Sequence, residues 1–392
     1  MRKKINIAKS SILLWVIGAL FISVIVLGAL FIKNESLAAQ LKTDRPINIL
    51  LVFEQEGSPR SSQLLMFYPS RSKSALLDIP GNTAVILKTM KRMDRIDLTY
   101  KAGQPKNYIT EVSSYLDIPI HGYMIFNEFD LSVFVDLLDG LPLFIPSMII
   151  QEEAPGIRLP GGAVVLDGEK VNQFLRYREE GESDGDALLR RQKLAIAILK
   201  KIAEKSSYFL DRTISGTLVS PMKSNFGSDA RKRLFSEIST IDVDAMLLQR
   251  ITGMYRTVEG QSLFFPFYDG ELARDMLKQT LNAMSLSQIS SPIGKIYTVE
   301  ILNGTEQRGL ASRTAEIFES FGYDVVAVGN AMNLDYPKTV LIDRHGDKEA
   351  LQAVGGVIRC ENFADANLYK GSIKADYTII LGKDFNGRIC VK

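Results

Sequence analysis

An uncharged apolar run near the start of the chain restricts where the rest of it can fold. Residues 10–32 carry no charged side chain. At 1.5 Å per helical residue, this run can cross the roughly 30 Å hydrocarbon core of a membrane. Four basic residues precede it: Arg2, Lys3, Lys4 and Lys9. Only Lys33 follows closely, beside Glu35. The positive-inside rule therefore predicts a single-pass membrane helix with a cytoplasmic N-terminus and an extracytoplasmic remainder. A signal peptide cleaved near residue 38 is the alternative, although the run exceeds the usual length of about 7 to 15 residues.

The remaining composition is that of an ordinary globular protein. The chain has 392 residues, of which 46% are hydrophobic, and at roughly 100 to 200 residues per domain it is long enough for two or three domains. The formal net charge is only +2, and no basic run or interleaved aromatic stripe occurs. Nucleic acid is therefore not an expected partner.

Cysteines and histidines are scarce. The chain has two of each: Cys360, Cys390, His121 and His345. In an oxidising compartment the cysteines could form a disulfide, or both could be buried free thiols, and the sequence leaves both readings open. Neither histidine lies close to a cysteine or to a patterned set of carboxylates, so a zinc-type site is not expected.

Strands that alternate with helices predict an α/β fold in layers. Strands are expected at residues 47–53, 64–68, 75–79, 124–126, 143–146 and 264–267. Helices are expected at residues 129–138, 168–175, 187–204, 231–238, 243–255 and 270–284. Asp167 is the predicted N-cap of the second of these helices. An apolar stripe is assigned to one face of the first helix, either as ordinary core or as a groove for a lipid tail: Phe129, Val133, Phe134, Leu137 and Leu138.

A serine-rich stretch at residues 285–292 is the predicted boundary before a second, smaller α/β domain. In that domain, strands are expected at 297–302, 325–328, 339–342 and 377–381, with helices at 310–321 and 348–354. The predicted organisation has six parts: a cytoplasmic tail (1–9), a transmembrane helix (10–32), a linker (33–45), an α/β domain (46–284), a linker (285–294) and a C-terminal α/β domain (295–392).

Four arginines within sixteen residues point to an anionic ligand: Arg176, Arg178, Arg190 and Arg191. If the segment is extended, Arg176 and Arg178 point the same way. Arg190 and Arg191 are expected in the first turn of the following helix, where positive charge is unfavourable unless an anion is bound. Paired arginines beside a helix N-terminus suit phosphate or pyrophosphate. The alternative is a solvated cluster in which the arginines pair with the acidic residues of the loop: Glu179, Glu180, Glu182, Asp184 and Asp186.

Several segments occur in an order and at spacings that point to a known family. After the apolar run come NILLV at 48–52, GYMIFNEFDLSVFVDLLDGLPLFIP at 122–146, LDGEKVNQFLRYR at 166–178 and RRQ at 190–192. Together they resemble the LytR-CpsA-Psr family of extracytoplasmic cell-envelope proteins. The segment VEILNGTEQRGLASRTAEIFESFGYDVVAVGNA at 299–331 looks like the LytR C-terminal domain that follows it in many members.

The resemblance implies a membrane-anchored α/β enzyme that holds a polyprenyl-pyrophosphate-linked glycan and transfers the glycan phosphate to a cell-wall polymer. Arg176 and Arg178 match the paired arginines of the family, Arg191 and Gln192 match its downstream Arg-Gln, and Arg60 matches the arginine of an Arg-Ser-Asp element. By resemblance, all five bind the pyrophosphate, and Arg176, Arg178 and Arg191 also serve catalysis. The family further implies Mg²⁺ held by aspartates and a hydrophobic groove for the lipid.

The chain departs from the family at the expected metal ligands. Arg60-Ser61-Ser62 lacks the aspartate of Arg-Ser-Asp, Ile79-Pro80-Gly81-Asn82 replaces Ile-Pro-Arg-Asp, and Glu54-Gln55-Glu56 stands where an aspartate is expected. Mg²⁺ prefers hard oxygen ligands, so the site is expected to be degenerate unless Asp184 and Asp186 supply carboxylates. Two functions remain open: a transferase or pyrophosphatase, and a non-catalytic protein that binds lipid phosphate or acts as an envelope scaffold.

Overall fold

The computed structural model describes residues 41, 44–88, 90–152, 156–179, 182, 184–285, 297–321, 323–344, 346, 348–365 and 375–391. Residues Arg45–Lys392 form one compact unit. The membrane helix predicted at 10–32 lies outside the described residues. Within them, no helix combines the length and the apolar character that a membrane span requires.

A six-stranded sheet forms the centre of the first domain. Its strands are β1 (Ile47–Gln55), β2 (Ser58–Tyr68), β3 (Lys73–Ile79), β6 (Gly122–Phe126), β11 (Lys223–Ser224) and β12 (Leu247–Arg250). They lie in the order β11-β6-β1-β2-β3-β12. β1 runs parallel to β6 and antiparallel to β2. Both faces of the inner strands are buried, which explains why β1 reads as a nearly continuous apolar run.

Helices cover both faces of this sheet. They are α1 (Lys106–Leu116), α2 (Glu128–Leu137), α3 (Gly168–Arg176), α4 (Asp184–Glu204), α5 (Ser206–Leu210), α6 (Arg212–Val219), α7 (Ser228–Ile238) and α8 (Glu271–Ser285). One face of the sheet presents Leu50 and Leu64 to Tyr108 of α1 and Leu277 of α8. On the other face, α2 contacts β1 and α4 contacts β2.

Four hairpins complete the first domain, and one of them overturns a prediction. The hairpins are β4 (Ala84–Leu87) with β5 (Arg92–Arg95), β7 (Leu141–Ile145) with β10 (Gly162–Leu166), β8 (Ile149–Gln151) with β9 (Ile157–Leu159), and β13 (Gly253–Val258) with β14 (Gln261–Pro266). The helix predicted at 243–255 is wrong, because β12 and β13 occupy that segment. β12 pairs with β3, and a Cβ at Gly253 would lie 2.3 Å from the Phe265 carbonyl oxygen. Strand pairing, of β12 with the distant β3 and of β13 with the adjacent β14, thus overrides the local periodicity.

The apolar stripe predicted on α2 is also only partly correct. Asn127 caps this helix by accepting a hydrogen bond from the Asp130 amide. The helix buries Leu131, Phe134 and Val135, whereas the Phe129 side chain is 75% exposed. Phe134 packs against Phe126 of β6 with ring centroids 5.6 Å apart. The predicted face is therefore rotated, because Phe134 and not Phe129 points at the sheet.

The C-terminal domain is a second, smaller α/β unit. Its strands are β15 (Thr298–Asn303), β16 (Asp324–Asn330), β17 (Val340–Asp343), β18 (Phe363–Asp365) and β19 (Tyr377–Leu381), and its helices are α9 (Leu310–Ser320) and α10 (Lys348–Val357). The strand order is β16-β15-β19-β17-β18. Leu272 of α8 belongs to the core of this domain, so α8 packs on both domains. The predicted α/β class with a smaller C-terminal α/β domain is confirmed.

Candidate functional site

The arginine-rich segment joins two helices and is not extended. Asp167 caps α3 by accepting a hydrogen bond from the Lys170 amide, as predicted, and Arg176 is the last residue of this helix. The expected alignment of Arg176 and Arg178 along an extended chain is therefore wrong. α4 begins at Asp184, three residues earlier than predicted. Arg190 and Arg191 lie in its second turn, beyond the strongest influence of the helix dipole.

Arg176 is tied to the edge of the central sheet. Its Nη1 lies 3.3 Å from Oε1 of Glu128, the first residue of α2. The same Oε1 accepts a hydrogen bond from Nε2 of Gln55 at 2.8 Å. Asn172 of α3 donates to the Glu128 carbonyl oxygen at 2.6 Å. Since β1 and β6 are parallel and end at this edge, Arg176 stands where an α/β sheet usually binds its ligand.

Arg190 has a structural environment. It forms an ion pair with Glu182, and both side chains are largely buried. It also donates to the Tyr177 carbonyl oxygen, and its guanidinium lies 5.0 Å from the centre of the Tyr177 ring. The alternative prediction, that the acidic loop pairs with the arginines, therefore holds for Arg190, although the pair is buried and not solvated.

Arg191 differs from Arg190, because no described carboxylate forms an ion pair with it. Its side chain is half-buried, and its Nε is buried without a hydrogen-bond partner in the described part of the chain. The pKa of Arg191 is lowered to about 10, first by burial and then by the nearby guanidinium groups of Arg60, Arg190 and Arg178. We call these four residues the arginine cluster. Like charges gathered in a partly desolvated place repel each other, so the cluster favours a bound anion.

A β-bulge brings Arg60 into the cluster. In the pairing of β1 with β2, Phe53 stands opposite Ser61 and Glu54 opposite Pro59, so Arg60 is the extra residue. A bulge breaks the strict alternation of side chains and re-aims the residue that it contains. Arg178 lies at the exposed rim of the cluster, where its Nη2 donates to the Glu182 carbonyl oxygen at 3.3 Å.

A buried carboxyl group, which the sequence analysis missed, lies beside the cluster. Asp78 of β3 is 1% exposed and stands opposite Gln63 of β2. Burial raises the pKa of Asp78 to about 7, and the neighbouring Gln63 side chain and the positive charge of Arg191 oppose this rise. The available signal was a charged residue inside the apolar strand sequence ALLDI, because an acidic side chain there must face the core or a ligand.

Gln192 points away from the cluster. It is buried, and its Nε2 donates to the Gln249 carbonyl oxygen of β12 at 3.3 Å. The Gln249 side chain in turn donates to Oγ1 of Thr280 in α8 at 2.5 Å. These bonds fix α4 against the sheet with Arg191 on the side of the cluster. The predicted contact between Gln192 and pyrophosphate stays a prediction.

The carboxylates described near the cluster do not fit a Mg²⁺ site. Among the described residues, no group of three or more His, Cys, Asp or Glu side chains is placed to hold a metal ion. Glu128 is engaged with Arg176 and Glu182 with Arg190, and Glu54 accepts a hydrogen bond from the Tyr100 hydroxyl. The side chains of the other candidate ligands, Asp184 and Asp186, lie outside the description.

Comparison with protein families gives two matches. Residues 32–282 match the model of the LytR_cpsA_psr family. Residues 296–385 match a second model, described as LytR cell envelope-related transcriptional attenuator. The first match covers more than half of the chain and includes every residue of the arginine cluster.

Individual relatives are distant. The polyisoprenyl-teichoic acid–peptidoglycan teichoic acid transferase TagU of Bacillus mycoides (strain KBAB4) is 23% identical over 203 residues, which span 50% of this chain and 66% of that protein, just under two thirds. The crystal structure of TagV from B. subtilis has a TM-score of 0.54 at 19% identity and covers 61% of this chain and 98% of TagV. Protein gbs0355 from Streptococcus agalactiae has a TM-score of 0.55 at 19% identity, with 63% and 91% covered. Both structures share the fold of the first domain.

Proposed function

Because the chain belongs to the LytR-CpsA-Psr family, we propose that its first domain binds a polyprenyl-pyrophosphate-linked glycan at the arginine cluster and transfers the glycan phosphate to a cell-wall polymer. The observation that carries this proposal is the environment of Arg191. It is half-buried beside three other guanidinium groups, and it forms no ion pair with a carboxylate of the described chain. The name of the relative TagU, a transferase from polyisoprenyl-teichoic acid to peptidoglycan, supports the same substrate class.

Charge explains why a diphosphate suits this place. Two phosphate groups bring two negative charges, which offset the repulsion between the guanidinium groups. Arginine binds phosphate oxygens in a bidentate manner, and such charge-assisted hydrogen bonds are roughly twice as strong as neutral ones. Phosphoryl transfer requires mainly positioning and neutralisation of developing charge, both of which a fixed arginine cluster supplies.

The individual side chains have different parts in the proposal. Arg60 and Arg191 bind the pyrophosphate oxygens from the sheet and from α4, and Arg178 approaches from the exposed rim. Arg176, held by Glu128 at the strand ends, contacts the phosphate that carries the glycan. Gln192 points away from the cluster and fixes the position of α4. The acceptor hydroxyl attacks that phosphorus atom, the bond to the bridging oxygen breaks, and polyprenyl phosphate leaves with the proton that the hydroxyl loses.

No step of this reaction is routed through Mg²⁺, because among the described residues no group of three or more acidic, His or Cys side chains is placed to hold it. The assay therefore includes an EDTA arm. If Asp184 and Asp186 complete a metal site, EDTA abolishes turnover and the double variant Asp184→Asn, Asp186→Asn does the same. If they do not, turnover persists under both conditions.

The membrane helix that the sequence predicts at residues 10–32 completes the proposal. Polyprenyl chains reside in the bilayer, so an enzyme that acts on their pyrophosphate gains from a tether that holds it at the surface. An extracytoplasmic first domain would also meet the wall polymer that serves as acceptor. The positive-inside pattern around the run supports this orientation.

A non-catalytic lipid-phosphate binder or envelope scaffold is the second candidate. The replacement of expected acidic residues by Ser62 and Asn82 favours it, since each replacement removes a negative charge that could hold a metal. This reading keeps the arginine cluster as a binding site and dispenses with turnover.

One assay separates the two functions. The full-length protein in detergent is incubated with a polyprenyl-pyrophosphate-linked glycan and peptidoglycan, and both bound lipid and released polyprenyl phosphate are measured. Turnover that falls at least about 100-fold in Arg191→Ala supports the transferase. Arg308→Ala, an exposed arginine of the C-terminal domain, is the matched control and should keep full turnover. Bound lipid without turnover supports the scaffold, and neither binding nor turnover contradicts both.

A further inference from the structure

The two cysteines lie side by side near the end of the chain. Cys360 follows α10 and is buried, and its Sγ lies 3.5 Å from the Thr339 carbonyl oxygen. The backbone of Cys390 donates to the Ile358 carbonyl oxygen at 2.8 Å, which brings the two segments together. Both thiols are free, and Cys390 packs against the core cluster that contains Cys360.

One thiol of the pair, that of Cys390, is accessible from solvent. Cys390 is half-buried, and both cysteines line an open surface groove of about 780 Å³. The neighbouring Cys390 thiol stabilises the Cys360 thiolate, which lowers the pKa of Cys360 and raises the pKa of Cys390. Such a pair is chemically suited to disulfide exchange.

Cys390 stands two residues after an arginine that joins the two domains. Arg388 forms ion pairs with Glu271 and Asp275 of α8, the second at 2.7 Å. Its guanidinium lies 5.2 Å from the centre of the Tyr268 ring, and only 11% of its side chain is exposed. The Tyr268 hydroxyl also donates to the Gly387 carbonyl oxygen at 2.8 Å. We call this set of contacts the C-terminal clamp.

The clamp has its own attachment to the C-terminal sheet. Both the backbone amide and the hydroxyl of Thr339 donate to Oδ1 of Asp384, at 2.7 and 2.8 Å. The Val391 amide donates to the Asp384 carbonyl oxygen at 2.8 Å. Residues 384–391 therefore form a closed turn, but only non-covalent bonds hold it beside α10.

We infer that Cys360 and Cys390 are a disulfide site, and that their oxidation locks the C-terminal clamp onto α8. The bond would tie the turn at 384–391 to the segment after α10, so Arg388 could no longer leave Glu271 and Asp275 by opening of this turn. A disulfide restricts the unfolded chain and prevents local opening of the loop that it closes.

The oxidation is an exchange with an oxidised dithiol protein or with glutathione disulfide. The thiolate of one cysteine attacks the external disulfide, forms a mixed disulfide and releases one external thiolate. The second cysteine then attacks the sulfur of the first, which forms the Cys360–Cys390 bond and releases the other external thiolate. Two protons and two electrons leave the protein, and the external disulfide is reduced to two thiols.

The test uses the full-length protein in detergent, incubated with reduced or oxidised glutathione. Because the chain has only two cysteines, alkylation after denaturation reports the bond directly, and a non-reducing gel separates internal bonds from covalent dimers. We expect the oxidised protein to lose both alkylatable thiols, to remain monomeric on the gel and to melt about 5 °C higher. Backbone amide exchange in α8 and at 386–391 should slow at least about threefold.

Two variants isolate the clamp from the bond. The double variant Cys360→Ser, Cys390→Ser should show the same α8 exchange in both glutathione states. Arg388→Ala should still form the disulfide, but its α8 exchange should no longer respond to oxidation. The inference is overturned if both thiols stay alkylatable, if oxidation yields only covalent dimers, or if α8 exchange in the unmodified chain is equal in the two states.

Discussion

At the scale of single residues, two neighbouring arginines have opposite tasks. Arg190 is paired with Glu182 and packed against Tyr177, so its charge is compensated within the protein. Arg191 lies among like charges and forms no ion pair with a carboxylate of the described chain. Arg190 therefore stabilises the fold, whereas the adjacent Arg191 is available to bind the ligand.

This division predicts different effects of two matched substitutions. Arg190→Ala should lower the free energy of unfolding by about 3 kcal/mol, because Glu182 would keep a buried charge without its partner. Arg191→Ala should change that free energy by less than about 1 kcal/mol, because the lost packing is offset by relief of repulsion. Urea unfolding of the two variants measures both values. Equal destabilisation by the two changes would refute the assignment.

The raised pKa of a single residue, Asp78, makes the free energy of unfolding depend on pH. Its folded-state pKa of about 7 lies above the 3.8 of an ordinary exposed aspartate, so the folded state holds the proton more tightly than the unfolded state does. The stability due to this group is fully present below pH 4 and is lost as the pH rises towards 7.

Replacement of Asp78 by asparagine should remove this dependence. Relative to the unmodified chain, Asp78→Asn should gain about 2 to 3 kcal/mol of unfolding free energy between pH 5 and pH 7.5, at about 1.4 kcal/mol per pH unit below the folded pKa. Urea unfolding at the two pH values measures the difference. If the stability gap between variant and parent is the same at both, the raised pKa is wrong.

At the scale of elements, a close helix contact positions Arg176. Gly168 opens α3 against α2, and a Cβ built on it would lie 2.2 Å from the Ser132 carbonyl oxygen. Only glycine fits at this distance. The other end of α3 carries Arg176 to Glu128 of the same partner helix, so a displacement of α3 would also move the site.

Gly168→Ala should therefore lower the free energy of unfolding by about 2 kcal/mol and weaken ligand binding. The matched control is Gly356→Ala in α10, where an added Cβ meets nothing within 4 Å. That change should be neutral or stabilising by up to about 1 kcal/mol, because alanine is the better helix former. Thermal unfolding of both variants checks the pair, and equal melting temperatures would contradict the packing argument.

The sequence predicted the elements whose pattern is local. β1 and β3 were expected because strands that are buried on both faces have continuous apolar sequences. The start of α3 was expected because Asp167 is a favourable N-cap residue. β12 was missed, since its pairing with β3 involves residues distant in the chain and cannot be read from local periodicity. β13 was missed although its partner β14 follows directly in a hairpin, because the helical period of the segment was given more weight than the turn.

The site was predicted as a set of residues but not as a geometry. The approach of Arg60 to Arg191 depends on a bulge in the register of β1 with β2, which no single segment encodes. Arg176 turned out to end a helix, and Asp78 was overlooked because β3 was read only as a strand. Single segments of the sequence show which residues belong to the site. The distances between those residues depend on how the strands of the sheet pair.

At the scale of the whole molecule, the apolar run at residues 10–32 and the compact unit Arg45–Lys392 make separate predictions. The full chain should remain in the membrane fraction after carbonate extraction, because a spanning helix is not removed by charge or pH. Residues 45–392 expressed alone should be released. External protease should degrade a C-terminal tag on intact spheroplasts, whereas protection of the tag would reverse the predicted orientation.

The most direct measurement is the affinity of the full-length protein in lipid nanodiscs for a polyprenyl pyrophosphate, titrated with and without added salt. A charged ligand held by arginines should bind more weakly as salt is raised. Arg191→Ala should weaken binding at least about 10-fold, and Arg308→Ala less than about twofold. Equal affinity of Arg191→Ala and the unmodified chain would contradict the role of the arginine cluster.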